Sequence, residues 1–263
     1  FSHDGKHLWF LLEDSGEQNL ARIRPQGGRI ERVVGGEQVV SAFASGPDGA
    51  VATLISTPWL PPEVFRLDGK KLEQRSFTNR AALAGLELGA VEKVRFKSAD
   101  GTAIEGFVIK PPGFVEGRRY PAILDIHGGP QAQYDYSFSF KAQLYAANGY
   151  LVLHPNPRGS TGYGQDFCLA IWRDWGGPDY ADVMAAVDDA VARGWADPER
   201  LGVTGWSYGG MLTNHVITKT DRFKAAATGA SATLYAANYG HDMYQSWWEQ
   251  ELGFPWEPEA RPL

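Results

Sequence analysis

Cysteine is nearly absent: Cys168 is the only one in 263 residues. No intrachain disulfide can form, and a reducing, cytoplasmic setting is the expectation. The six histidines never join a cysteine at zinc-ligand spacing, so no metal and no cofactor is expected. Long apolar runs are missing too. Ala225–Ala227 and Leu151–Leu153 fall far short of a membrane span, which excludes a membrane partner by this measure. There is no basic cluster. The 25 basic and 31 acidic residues are spread along the chain for a net charge of −6, which argues against nucleic-acid binding and favours solubility. The opening F-S-H-D-G carries no signal-peptide pattern, and the closing P-E-A-R-P-L shows neither helix stop nor strand closure. The expectation is a fragment cut from a longer chain at both ends.

What is present suits a folded globular chain. Hydrophobic residues make up 43% and aromatics 13%, enough for a sizeable core in one large domain or two smaller ones. Residues 1–80 read as short strands between turns. His7–Leu12 follows Asp4-Gly5, Leu20–Arg24 and Arg29–Val34 flank Pro25-Gln26-Gly27-Gly28, Val51–Ile55 follows Asp48-Gly49, and Val64–Leu67 and Lys71–Arg75 flank Asp68-Gly69. Ser2-His3-Asp4-Gly5 resembles Gly46-Pro47-Asp48-Gly49, 44 residues on, and Ile23-Arg24 with its turn resembles Phe65-Arg66 with its turn, 42 residues on. Such a period fits β-propeller blades, with a chance pair of hairpins as the alternative. About two blades fit in this stretch, and a closed propeller needs at least four.

Residues 81–90 read as a linker, after which the pattern changes. Val91–Lys97 and Ile104–Lys110 form an antiparallel hairpin around Asp100-Gly101. Apolar strands at Ala122–Ile126, Tyr150–His154, Leu201–Gly205 and Phe223–Thr228 then alternate with helices at Ser139–Asn148, Asp179–Arg193 and Met211–Thr218. In the second helix Val183, Ala186, Val187, Ala190 and Val191 share a face, and Gly194 ends it. Apolar strands alternating with helices predict an α/β domain with a mainly parallel sheet covered on both faces.

Three motifs fall at strand ends. Gly205-Trp206-Ser207-Tyr208-Gly209-Gly210 is G-x-S-x-G between a buried strand and a helix, the setting of a nucleophile elbow. The glycines let neighbouring backbone pass close, and the helix start favours developing negative charge at Ser207. The plainer alternative is a serine that only caps the helix. His127-Gly128-Gly129-Pro130 follows the Ala122–Ile126 strand and resembles the H-G-G element that supplies an oxyanion amide, the second amide being that of Tyr208. Losing one such donor typically costs about 3 kcal/mol in the transition state. His127 itself reads as a structural brace of its loop. Asn156-Pro157-Arg158-Gly159-Ser160-Thr161-Gly162-Tyr163-Gly164 hangs over the same crevice. Two readings of Arg158 stand, a brace between loops or a ligand for a substrate carbonyl or carboxylate.

In this order the three motifs resemble the catalytic domain of the prolyl oligopeptidase family, most of all its acylaminoacyl-peptidase branch, over residues 91–263. The resemblance implies an α/β-hydrolase domain preceded by the last blades of a β-propeller that restricts access. It also implies cleavage of short peptides by a Ser–His–Asp triad, possible homo-oligomers, Ser207 as nucleophile, and Tyr208 and Gly129 as oxyanion amides. Triad order in this fold is Ser, acid, His. Asp221 with His241 is rejected because Asp221 precedes the Phe223–Thr228 strand, at the wrong sheet edge. His215 lies eight residues into the helix, roughly 12 Å from Ser207 at 1.5 Å per residue. The triad Asp and His are therefore expected beyond Leu263. In the aromatic run Tyr235–Trp248, the residues Tyr235, Tyr239, Tyr244, Trp247 and Trp248 read either as a substrate wall or as packing between domains. An esterase of the same fold, or a propeller scaffold without catalysis, are the rival functions.

Overall fold

Turn residues dictate the first strands. In the computed structural model, which describes residues 1–69, 71–240 and 243–258, Ser15 and Gly16 both take positive φ (52° and 83°) and close a tight hairpin between β1 (Leu8–Asp14) and β2 (Glu17–Ile23). β3 (Glu31–Val34) pairs with β2. Four strands then form an antiparallel meander: β4 (Val39–Ser45), β5 (Val51–Thr57), β6 (Leu60–Asp68) and β7 (Lys71–Gln74). One parallel bridge, Gln18 with Val39, joins the two sets into a single sheet ordered β1-β2-β4-β5-β6-β7. Leu20, Val34, Val40, Val51, Ile55 and Leu67 pack as its core.

Several of these elements differ from the sequence expectation. β4, V-V-S-A-F-A-S, has no clear strand signal in the sequence, because small and polar residues blur its alternation. The β5–β6 turn is Pro58-Trp59, with Thr57 opposite Leu60, and it carries no glycine signal. A short helix, α1 (Arg80–Leu83), overlaps the start of the expected linker at 81–90. The buried Glu63 carboxylate accepts from Ser76 Oγ, from the Asn79 backbone N–H at 2.9 Å and from Asn79 Nδ2 at 3.1 Å, fixing the chain as it leaves the sheet.

The chain divides into two units, Phe1–Leu88 with Asp135–Lys141, and Gly89–Tyr134 with the described residues from Ala142 onward. Segment 135–141 joins the first unit through Tyr136 N–H to Gly16 O and Phe138 N–H to Ser56 Oγ, each 2.9 Å.

The elements after α1 are β8 (Ala90–Lys97), β9 (Ala103–Lys110), β10 (Tyr120–Ile126), α2 (Phe140–Ala147, whose first two residues fall in the first unit), β11 (Leu151–Asn156), α3 (Gln165–Leu169), α4 (Pro178–Ala192), β12 (Ala196–Trp206), α5 (Tyr208–Lys219), β13 (Phe223–Gly229), α6 (Tyr235–Asn238) and α7 (Gln245–Leu252), all but the start of α2 in the second unit. The sheet of the second unit is ordered β13-β12-β10-β11-β9-β8. β13, β12, β10 and β11 are mutually parallel, while β9 runs antiparallel to β11 and closes a hairpin with β8. The sheet is thus mixed, a parallel centre extended by the expected hairpin. Pro178 sits at the first helical position of α4, where its missing N–H costs nothing, so the helix begins one residue before the predicted Asp179. Gly194, at φ 75°, follows its end. α5 starts at Tyr208 rather than Met211, because Gly209 and Gly210 hide its first turn. β13 lies at the sheet edge with Lys224–Thr228 exposed.

Leu124 is 1% exposed on β10, in register with Leu153 and Val203 of the flanking strands. Leu124→Ala is expected to cost about 3 kcal/mol through lost transfer energy and a residual cavity, measured by urea unfolding.

Candidate active site

The adjacent parallel strands β12, β10 and β11 end side by side, and each delivers one motif from its carboxyl end. Ser207 stands directly after β12 at φ 59° and ψ −124°, a left-handed conformation that non-glycine residues rarely adopt. Its N–H donates to Gly229 O at 2.9 Å, and its carbonyl accepts from Met211 N–H at 3.0 Å. The residue is exposed, and its side chain makes no capping hydrogen bond to α5. The capping alternative therefore has no bond to support it.

The glycines are sterically required. A Cβ on Gly205 would overlap the Gly209 carbonyl, and one on Gly209 would overlap the carbonyls of Ile126 and His127. At Gly210 it would stand 2.6 Å from Gly229 O. The H-G-G loop meets this turn directly: a Cβ on Gly128 would lie 3.1 Å from Trp206 O and 3.4 Å from Ser207 Cβ. Gly129 has φ 122°, where an L side chain is strained. Among the described residues, the N–H groups of Tyr208 and Gly129 donate to no protein acceptor.

His127 is a brace, as its loop position suggests. Its Nδ1–H donates to Gly128 O at 2.7 Å, and Nε2 lies 3.0 Å from Ser160 Oγ. Burial holds its pKa down at about 4, so the ring is neutral at pH 7. Arg158 is engaged as a brace between loops. Its Nε and Nη2 engage both Asp182 oxygens at 2.9 and 2.7 Å, Nη1 reaches Asp100 at 2.6 Å, and Nη2 also faces Ser98 Oγ and Pro178 O. Every nitrogen of the guanidinium is occupied, and the side chain is 13% exposed.

A buried polar cluster beneath these loops was missed by sequence reasoning. Asp125, fully buried on β10, accepts from His154 Nε2 at 3.1 Å and from the Tyr134 hydroxyl. Tyr134 stacks on His154 at 3.7 Å, and its backbone N–H and carbonyl both pair with the Asn156 side-chain amide, at 2.7 and 2.8 Å. The one available signal was an acid inside the apolar run A-I-L-D-I. Asp179, also missed as a site residue, accepts the Tyr208 hydroxyl; burial raises its pKa to about 6.

The remaining candidates lie elsewhere. The His215 ring stands against Gly176 and edge-on to Tyr180, at 5.6 Å. Asp221 lies in the bend before β13, and His241 falls outside the described residues. Tyr235 and Trp248 enter the core of their own unit, 5.7 Å apart, with Trp248 5.9 Å from Trp175. Tyr244 is exposed. Tyr239 and Trp247 are partly buried against the same core.

Residues 136–261, which include α4, the N-P-R-G loop and the Ser207 turn, match the profile of the prolyl oligopeptidase family. The chain belongs to the prolyl oligopeptidase family. It is similar to "Uncharacterized peptidase YuxL" of Bacillus subtilis, 37% identical over 91% of this chain and 37% of that protein. Dipeptidyl-peptidase 5 of Porphyromonas gingivalis is 31% identical over 97% of this chain and 38% of that protein. Among solved structures, the acylaminoacyl peptidase of Pyrococcus horikoshii superposes with a TM-score of 0.87 at 29% identity, over 97% of this chain and 41% of that one. An acylaminoacyl peptidase in complex with Z-Gly-Gly-Phe-chloromethyl ketone gives a TM-score of 0.88 at 30% identity, with the same coverage. The chain thus spans 37 to 41% of the length of these four proteins. Among the described residues no helix is long and apolar enough to cross a membrane.

A buried neutral histidine makes stability pH-dependent. The unfolded imidazole takes up its proton as pH falls through about 6.5, whereas folded His127 resists until about 4. Its contribution is complete above the upper value and is lost as pH falls through that window. Wild type should lose about 3 kcal/mol more than His127→Gln between these limits, measured by denaturant titrations across pH. Asp179 titrates with the opposite sign, but it is common to both proteins and cancels in the comparison.

Proposed function

We propose that this chain carries the nucleophile of a serine peptidase that cleaves short peptides through an acyl-enzyme on Ser207. The observation that carries this reading is the Ser207 turn itself: a strained, exposed serine, with Gly128 packed against it and two unengaged amides, those of Tyr208 and Gly129, in the flanking residues. In this reaction Ser207 Oγ attacks the scissile carbonyl, and the oxygen that becomes negative takes hydrogen bonds from those amides. The Oγ proton passes to a general base, which gives it to the amine as the carbon–nitrogen bond breaks; water then hydrolyses the ester, leaving a carboxylic acid and the free Ser207 hydroxyl. Membership of a peptidase family and the acylaminoacyl and dipeptidyl peptidases among the similar proteins support short peptides over simple esters.

The proton acceptor and its acid partner are assigned to chain outside residues 1–263. His127 is committed to its own loop and His215 packs against Gly176, while the matched relatives are more than twice as long as this chain. The β4–β7 meander has the four antiparallel strands of a propeller blade, which supports reading the first unit as part of a propeller.

A serine without its base is a poor nucleophile. The isolated 263-residue chain should therefore resist a fluorophosphonate probe. The intact protein should label at one serine, and Ser207→Ala should abolish that labelling. Labelling of the isolated chain at Ser207 would show that the activating base lies within it. Comparing acyl-peptide with p-nitrophenyl ester hydrolysis by the intact protein separates peptidase from esterase.

A further inference from the structure

Asp179 is wholly buried in the first turn of α4, and it is not idle there. Oδ2 accepts both the Tyr208 hydroxyl and the Gly176 N–H, the latter at 3.1 Å, and Oδ1 accepts the Tyr180 N–H at 3.0 Å. Tyr208 is 2% exposed, and Trp175 packs edge-on against its ring at 5.0 Å. A buried carboxylate is costly unless it is fully partnered, and apolar packing would fill this space more cheaply. Burial raises the Asp179 pKa to about 6, which marks the site as sheltered from water.

What the carboxylate holds is the residue after Ser207. The Tyr208 N–H is one peptide bond from a serine at φ 59°, and a backbone in that region is defined only by its surroundings. The ring and hydroxyl of Tyr208 form a lever whose far end is tied to α4. We propose that Asp179 is a positioning residue for acyl transfer: by accepting the Tyr208 hydroxyl it fixes the direction of the Tyr208 amide toward the developing oxyanion. This role rests on the acyl-enzyme reading above. It predicts a defect in the chemical step rather than in binding, because the amide contact strengthens only as negative charge develops.

The test uses the intact protein and a fluorophosphonate, whose phosphoryl oxygen occupies the oxyanion position during labelling. Tyr208→Phe removes one hydroxyl and keeps the ring. Asp179→Asn keeps the shape but cannot accept at both positions. Each is expected to lower the maximal labelling rate about ten-fold, with the half-saturating probe concentration changed less than about two-fold. The double variant should be no slower than the slower single one, since both remove the same link. Thermal melts run alongside. Should Asp179→Asn fail to fold, Tyr208→Phe decides alone. Unchanged labelling in folded variants, a loss confined to half-saturation, or losses that multiply in the double variant would each overturn the role. Ser207→Ala in the same series separates the two claims: labelling that survives it overturns the acyl-enzyme reading and this role together. Labelling abolished there but unaltered in the Asp179 and Tyr208 variants overturns this role alone.

Discussion

The left-handed turn at Ser207 is the constraint around which the second unit is arranged. Holding a non-glycine residue in a sparsely populated region costs on the order of 1–3 kcal/mol, and it persists only where neighbours over-determine it. Here they do. The Ser207 N–H is tied to Gly229 on β13, its carbonyl to the first turn of α5, and Gly209 lies against the last carbonyl of β10 and that of His127. That last contact does two things at once. It leaves the turn no room to relax, and it brings the loop after β10 against Ser207, with Gly128 beside the serine. The close approach that maintains the strain therefore also sets the distance between the serine and its facing loop.

Such an approach is useful only if the loop is itself fixed, and the buried polar groups accomplish that. Tyr134 closes the H-G-G segment and is held in three ways: by the Asn156 amide on its backbone, by His154 on its ring face, and by Asp125 at its hydroxyl. Asp125 lies on β10 while His154 and Asn156 lie on the neighbouring β11, so the cluster joins two strands just below the loops they carry. Arg158 does the same for the next loop, linking it to Asp182 on α4 and to Asp100 in the β8–β9 turn. Buried polar groups that are satisfied on every side specify one arrangement, whereas apolar packing would tolerate several.

The parts of this architecture that could be read from sequence are those where local chemistry and fold agree. Apolar strands such as A-I-L-D-I and the helical face of Val183, Ala186, Val187 and Ala190 carry a clear local signal, and glycines around a serine at a strand end narrow the turn to an elbow or a cap. The strand β4 was hidden because alanine and serine carry little periodicity, and the start of α5 because Gly209 and Gly210 are there for close approach rather than helix propensity. Arg158 stood between two roles because its partners, Asp100 and Asp182, are 58 and 24 residues away in the chain. The Asp125–His154 and Asp179–Tyr208 pairs were out of reach for the same reason: 29 residues separate the partners in each, and only the sheet and the α4–α5 arrangement bring them together.

These pairings also determine what kind of charge the site presents. His127, adjacent to the glycines, is kept neutral by burial, and the Arg158 charge is matched by Asp182 and Asp100. Neither side chain offers a net positive charge to a reacting group. In the proposed reaction, an oxyanion on this chain is therefore met by backbone dipoles: the amides of Tyr208 and Gly129 and the positive end of α5. Dipoles of this kind are fixed in direction by the fold and need no reorganisation as charge develops, but their effect falls quickly with misalignment. That dependence on direction accounts for a buried carboxylate, a buried tyrosine hydroxyl and three close-packed glycines being gathered around one peptide bond.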